Sequence, residues 1–140
     1  MADDELGPGN RRAARRRRLG FEGACACGED DPAALRRSSG RTICAHCLAV
    51  EQGRSPNERH HVLGRANGPE SVNMDVNDHD RRTDRELDWP PDTRRNPRRS
   101  PHRRKAAALR ATVDEHRTLE PILLGIAEYF ESLDKPDDIP

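Results

Sequence analysis

The residues best suited to chemistry fall in two groups. The first runs Glu58-Arg59-His60-His61-Val62-Leu63-Gly64-Arg65-Ala66-Asn67 and continues to Asn73, Asn77 and His79. Two adjacent histidines close a short extended run, and a turn of Gly, Asn and Pro follows. A second extended run holds Asn73, and a polar helix opens near Asn77 with His79 in its first turn. Side chains alternate faces along a strand, while a helix start aims its first turn at what precedes it. This order can therefore bring a strand histidine and a helix histidine to one point. Two imidazoles converging on an ion, with a third free beside them, suit metal-assisted phosphodiester hydrolysis. The second group is Cys25-Ala26-Cys27-Gly28 and Cys44-Ala45-His46-Cys47. Two close cysteine pairs on two turns are a zinc-ribbon or zinc-knuckle pattern, since tetrahedral zinc takes four thiolates. The first pair is Cys-x-Cys, not the commoner Cys-x-x-Cys. A disulfide pair or free thiols are the alternatives. In a chain with so little core, structural zinc is the favoured reading, with His46 pointing away.

The first group resembles the HNH family of nucleases, the ββα-metal or His-Me finger group. The resemblance rests on His60-His61-Val62 with Gly64-Arg65, the Asn67-Gly68 turn, Asn73 and His79, and covers roughly residues 44 to 90. It implies His61 as general base, a task suited to imidazole, which titrates near neutral pH. It implies His60 and His79 as ligands of a catalytic divalent ion such as Mg²⁺, and Asn73 as the central Asn that steadies the hairpin and orients the base. Asn77 is the runner-up for that role. Arg65, Arg81 and Arg82 are near enough in sequence to hold phosphate. The sequence departs from the family in one respect. Many members carry a Cys-x-x-Cys knuckle around the final His, whereas here Val76-Asn77-Asp78-His79 has no cysteine, which leaves zinc to the upstream cysteines.

The chain has 140 residues, 32% hydrophobic, 3% aromatic and 36% charged, so its core is thin and a metal staple is expected. Net charge is zero, but the signs are segregated. Arg11 to Arg18 and Arg94 to Arg110 are basic, and Asp114 to Asp138 is acidic. Lys105 and Lys135 are the only lysines. The guanidinium fork suits phosphate, so this bias fits a DNA partner; a GC-rich genome accounts for it equally well. The acidic start Met1-Ala2-Asp3-Asp4-Glu5 and the lack of long apolar runs lead us to expect no signal peptide, no membrane segment and a cytoplasmic protein with reduced cysteines, of prokaryotic or phage origin.

The elements that must position these residues read as follows. Residues 1–20 are expected to be a disordered basic tail. Residues 21–90 form a zinc knuckle plus an HNH-like ββα domain. Within it, Asp31 to Arg37 reads as a short helix, Arg41-Thr42-Ile43 as extended, and the second cysteine pair opens a helix that stops at Gly53. Residues 58–63 and 71–74 are strands, and a helix capped by Asn77 runs to about Leu87 before Trp89-Pro90-Pro91. Residues 91–100 read as a Pro/Arg linker. Residues 101–134 read as a helical hairpin, breaking between His116 and Leu119. Its second helix carries Leu119, Ile122, Leu123, Ile126, Phe130 and Leu133 on one stripe, which points to a homodimer. Residues 135–140 read as a frayed acidic tail. The fold class is small α+β, zinc-stapled. The function expected is an HNH-type DNA endonuclease. The alternatives are a non-catalytic zinc-binding protein that associates with DNA, and an interaction protein that dimerises through its C-terminal helix.

Overall fold

The computed structural model describes residues 8–19 and 23–133. The frayed tail expected at residues 135–140 and the first seven residues lie outside them. The described part is a small α+β fold with two separate two-stranded antiparallel sheets and a long C-terminal helix.

Helix α1 (Pro8–Leu19) replaces most of the disordered tail expected for residues 1–20. The sequence has helix-favouring Ala and Arg there, but the decisive interaction is tertiary. Arg11 is 1% exposed, and its guanidinium reaches Asp84 Oδ1 at 3.2 Å, the Asp84 carbonyl at 3.0 Å and the Asp88 carboxylate.

Strands β1 (Leu35–Ser38) and β2 (Arg41–Cys44) form a hairpin with Leu35 opposite Cys44 and Ser38 opposite Arg41. The helix expected over Asp31–Arg37 is therefore a turn leading into a strand. Asp31 does use its side chain as expected, accepting from the Ala33 amide at 2.9 Å, but this closes a turn and not a helix. Ser39 and Gly40 have φ of 50° and 76°, the positive pair that a two-residue hairpin loop needs to match strand twist. Helix α2 (Ala45–Glu51) follows, capped by Cys44 and ended at Gln52 and Gly53, as read from the sequence.

Strands β3 (Asn57–His61) and β4 (Ser71–Asp75) form the second hairpin, with Arg59 opposite Asn73 and His61 opposite Ser71. Helix α3 (Val76–Glu86) leaves β4 without a loop. Its N-cap is Asp75, which accepts from the Asn77 amide at 2.8 Å, not Asn77 itself. Asn77 is buried inside the first turn.

The Pro/Arg segment expected as a linker is ordered packing. Helix α4 (Pro91–Arg95) and the turn after it enclose buried Thr93 and Asn96. The expected helical hairpin is one helix, α5 (Pro101–Leu133), of 33 residues with Pro121 inside it. Buried Asp114 pins its middle: Trp89 Nε1 donates to Asp114 Oδ2 at 3.0 Å, and Arg85 donates to the Asp114 carbonyl at 2.9 Å. Thr118 Oγ1 also donates to that carbonyl at 3.1 Å, so the turn before Pro121 is held and the chain does not fold back. The main apolar cluster joins Leu19, Leu35 and Ile43 to Cys25 and Cys44.

Candidate functional site

The first centre is the cysteine cluster. Cys25 and Cys27 lie on a tight turn closed by the Gly28 amide donating to the Cys25 carbonyl at 2.9 Å, with Gly28 at φ 101°. Cys44 ends β2, and its Sγ accepts from the Cys47 amide at 3.4 Å in the first turn of α2. The ligand atoms of Cys25, Cys27, Cys44 and Cys47 all lie within 4.8 Å of one another. Cys27 Sγ and Cys44 Sγ are 3.7 Å apart, close to the ~3.8 Å edge of a tetrahedron with Zn–S bonds of about 2.3 Å. The four thiols are free, so no disulfide competes. Burial works to raise the Cys25 thiol, but backbone hydrogen bonds at Cys27 and Cys44 and the neighbouring thiols outweigh it and bring it to about 6. Burial and its three thiol neighbours push Cys47 up. One sulfur poised as thiolate beside Cys27 and Cys47, which are both raised, is what a metal charge would complete. Four cysteines so placed can hold a metal ion such as zinc.

This knuckle is tied to α3. His46 is turned away from the sulfurs: its ring pairs with Asp75, and its amide donates to Asn77 Oδ1 at 3.0 Å. Asn77 Nδ2 donates to Glu29 Oε2 at 3.4 Å, and Arg81 donates to the same oxygen at 2.6 Å. Burial acts to raise Glu29, but the Arg81 hydrogen bond wins and its carboxyl sits below the usual range.

The second centre is the histidine group. Alternation along β3 sends His60 and His61 to opposite faces. His60 is 5% exposed and faces α3. Its ring meets that of His79 edge-on at 5.3 Å, and its Nε2 lies 3.2 Å from Glu86 Oε1. His79 Nδ1 lies 3.6 Å from Glu58 Oε2 and 3.7 Å from Asp80 Oδ1. Burial raises Asp80 above the ordinary carboxylate range, against the pull of Arg36 and His79. The strand histidine and the helix histidine do come together. Among the described residues, however, only the cysteines bring three or more Cys, His, Asp or Glu ligand atoms within 4.8 Å of one another.

His61 looks the other way, into a cleft of about 810 Å³ shared with Arg65. Its Nδ1 is buried with no hydrogen-bond partner among the described residues. Such orphaned atoms are uncommon in folded proteins and mark places where a ligand is missing or a reaction is done. Asn73 is exposed on β4, on the sheet face of His61 and diagonal to it in the register. Arg81 and Arg82 stand apart from the cleft with their guanidiniums in ion pairs, Arg81 to Glu29 at 2.6 Å and Asp78 at 2.8 Å, Arg82 to Glu115.

Sequence reasoning missed three residues. Glu86, the last residue of α3, faces His60. Asn67 is 4% exposed; it donates to the Thr93 carbonyl at 2.8 Å and accepts from Asn96 Nδ2 at 3.0 Å. In sequence Asn67 reads as an ordinary turn residue and Asn96 as part of an irregular linker. The Asn96-Pro97 step was the available signal for a fixed turn.

No family model matches the chain, and neither a curated protein nor a solved structure is similar to it.

Proposed function

We propose that the chain is a metal-dependent DNA endonuclease of HNH type. The observation that carries this reading is the division of labour along β3: His60 buried against His79, and His61 on the opposite face, lining a cleft and carrying a buried Nδ1 with no hydrogen-bond partner among the described residues. His60 and His79 are the residues that would hold a catalytic divalent ion such as Mg²⁺, with Glu86 the nearest carboxylate. When bound, such an ion supplies Lewis-acid stabilisation of charge on phosphate oxygens. His61 accepts the proton of the attacking water through its free ring nitrogen. Asn73, on the same sheet face, steadies the hairpin beneath the base. Arg65, exposed at the cleft, binds phosphate. The cysteine cluster holds structural zinc and, through Asn77 and Glu29, fixes the start of the helix that delivers His79.

The test is a plasmid nicking assay with added Mg²⁺ or Mn²⁺, run beside His61→Ala. Nicking by the wild type and at least a hundredfold less by the variant is the expected result, the usual range for a lost general base being about 10²–10⁴. Equal nicking by both proteins rules out His61 as the base.

A second reading has its own support. The histidine group offers a ligand pair where the cysteines offer four, and His60 is already matched with Glu86. A zinc-binding, DNA-associating protein without turnover fits that arrangement. It is the reading left if neither protein nicks while zinc and DNA are both retained.

A further inference from the structure

The cleft beside His61 has a second wall, built from the segment between α4 and α5, outside the histidine motif. Arg95, Arg99 and Arg104 come from this wall and Arg65 from the opposite one, and no acidic residue lines the cleft. The cleft between α1, β1 and α3, by contrast, mixes its arginines with Asp80 and Asp84. Arg65 and Arg99, which face this cavity from opposite walls, repel one another unless an anion lies between them.

The wall is fixed in place. Asn96 has φ 35° and Arg99 φ 51°, both in the left-handed region that side chains avoid. Asn96 holds the turn by accepting from the Ser100 amide at 2.8 Å and donating to the Ser100 carbonyl at 3.1 Å. It also donates to Asn67 Oδ1 at 3.0 Å, which joins the α4–α5 turn to the β3–β4 loop. Strained backbone held by a buried amide junction, with Arg99 presented on one of the strained residues, is the pattern of a preorganised binding site. The start of α5 at Ser100 and Pro101 opens onto the same cleft, adding the positive end of a long helix. Arg104 is partly engaged by Glu70 at 2.5 Å, while the side chains of Arg65 and Arg99 meet no partner among the described residues.

We infer that the α4–α5 turn and the start of α5 form a phosphate-binding subsite that grips the backbone of a DNA strand next to the phosphate presented to His61. The identity of the ligand rests on the phosphodiester reading of His61; the anion site itself rests on the arginines and their junction. Backbone phosphates are held by charge and fork geometry, so this subsite is blind to base sequence.

The experiment is fluorescence anisotropy of the full chain with a labelled DNA duplex and no added divalent ion, titrated over a range of salt. Arg99→Glu and Arg65→Glu are compared with Arg54→Glu, the same charge change on an exposed residue whose guanidinium donates to Gln52. Each cleft variant is expected to bind at least roughly fivefold more weakly and to lower the salt slope by about one, with Arg54→Glu unchanged. Arg65→Glu, on the loop, gives the same readout where Arg99→Glu disturbs the turn. Wild-type affinity in both cleft variants overturns the inference, and so does an equal loss in Arg54→Glu. Nicking by the wild type with normal affinity in the cleft variants leaves the hydrolase reading standing and removes this one. Lost affinity in the cleft variants with no wild-type nicking does the reverse.

Discussion

Asn67 shows how much a single side chain can decide in a protein with a small core. Its amide is saturated by Thr93 and Asn96, and all three residues are buried. Asn67→Ala leaves the buried Thr93 carbonyl without its donor, an orphan costing about 1–3 kcal/mol, while Asn96 keeps its two bonds to Ser100. A loss of about 1–3 kcal/mol in urea unfolding is expected, and a loss below ~0.5 kcal/mol would show the junction to be slack. Cys44 makes a similar demand for another reason. It is fully buried, belongs to the apolar cluster and caps α2 as well as joining the sulfur group. Cys44→Ser is expected to abolish stoichiometric zinc in a metal assay and to lower Tm by at least 10 °C, because binding energy at a structural zinc is folding energy. Full zinc content in that variant would remove Cys44 from the ligand set.

At the scale of elements, α1 is attached mainly by charge. Arg11 is buried between Asp84 and Asp88, with Arg15 reaching the same Asp84 at 3.2 Å. Burial acts to lower the Arg11 guanidinium, yet the two carboxylates outweigh it, and its pKa rises. Arg11→Met strands a buried carboxylate, and removing one partner of a buried pair costs about 3–5 kcal/mol. Arg15 offsets part of that, so about 2–3 kcal/mol is expected by denaturant titration, with amide exchange rising first in α1. Unchanged exchange in α1 would mean that the helix is held by something other than this pair. The cysteine knuckle and α3 are likewise one unit through Asn77, Asp75 and Glu29. Stripping zinc with a chelator is therefore expected to loosen the His60–His79 pair, read as increased exchange at the start of α3. Protection there that is indifferent to chelator would separate the two centres.

At the scale of the molecule, α5 extends past the rest of the fold. Leu119, Ile122, Leu123, Ile126, Tyr129, Phe130 and Leu133 are each between 41% and 63% exposed, on one face of the helix. Their spacing of three and four residues is that of a helix seam, with Thr118, Gly125 and Ser132 beside it permitting close approach. A second copy of the same stripe is the covering we expect. Light scattering should give a dimer at micromolar concentration, and Ile126→Glu with Phe130→Glu a folded monomer. A wild-type monomer would count against a self-association role for the stripe. No helix of the described residues is long and apolar enough to cross a membrane.

What the sequence determined by itself is what is encoded within a few residues. The cysteine spacing carried the metal cluster, and the turns and caps carried β2, α2, the β3–β4 hairpin and the body of α3. The order His60, His61, His79 was enough to bring a strand and a helix histidine together. What it could not carry were features made by partners far along the chain. Arg11 becomes helical and buried because Asp84 and Asp88 are there to receive it. Leu35–Ser38 is a strand because Arg41–Cys44 pairs with it, although Pro32 and the alanines favour a helix start. Helix α5 passes through Pro121 because Asp114 and Thr118 hold the preceding turn. The arginine cleft exists because Asn96 meets Asn67 across a sequence separation of 29 residues. Short-range propensities are worth tenths of a kcal/mol per residue, whereas a buried ion pair or a satisfied buried amide decides several kcal/mol at once. Where such a contact forms, tertiary structure overrules the local signal.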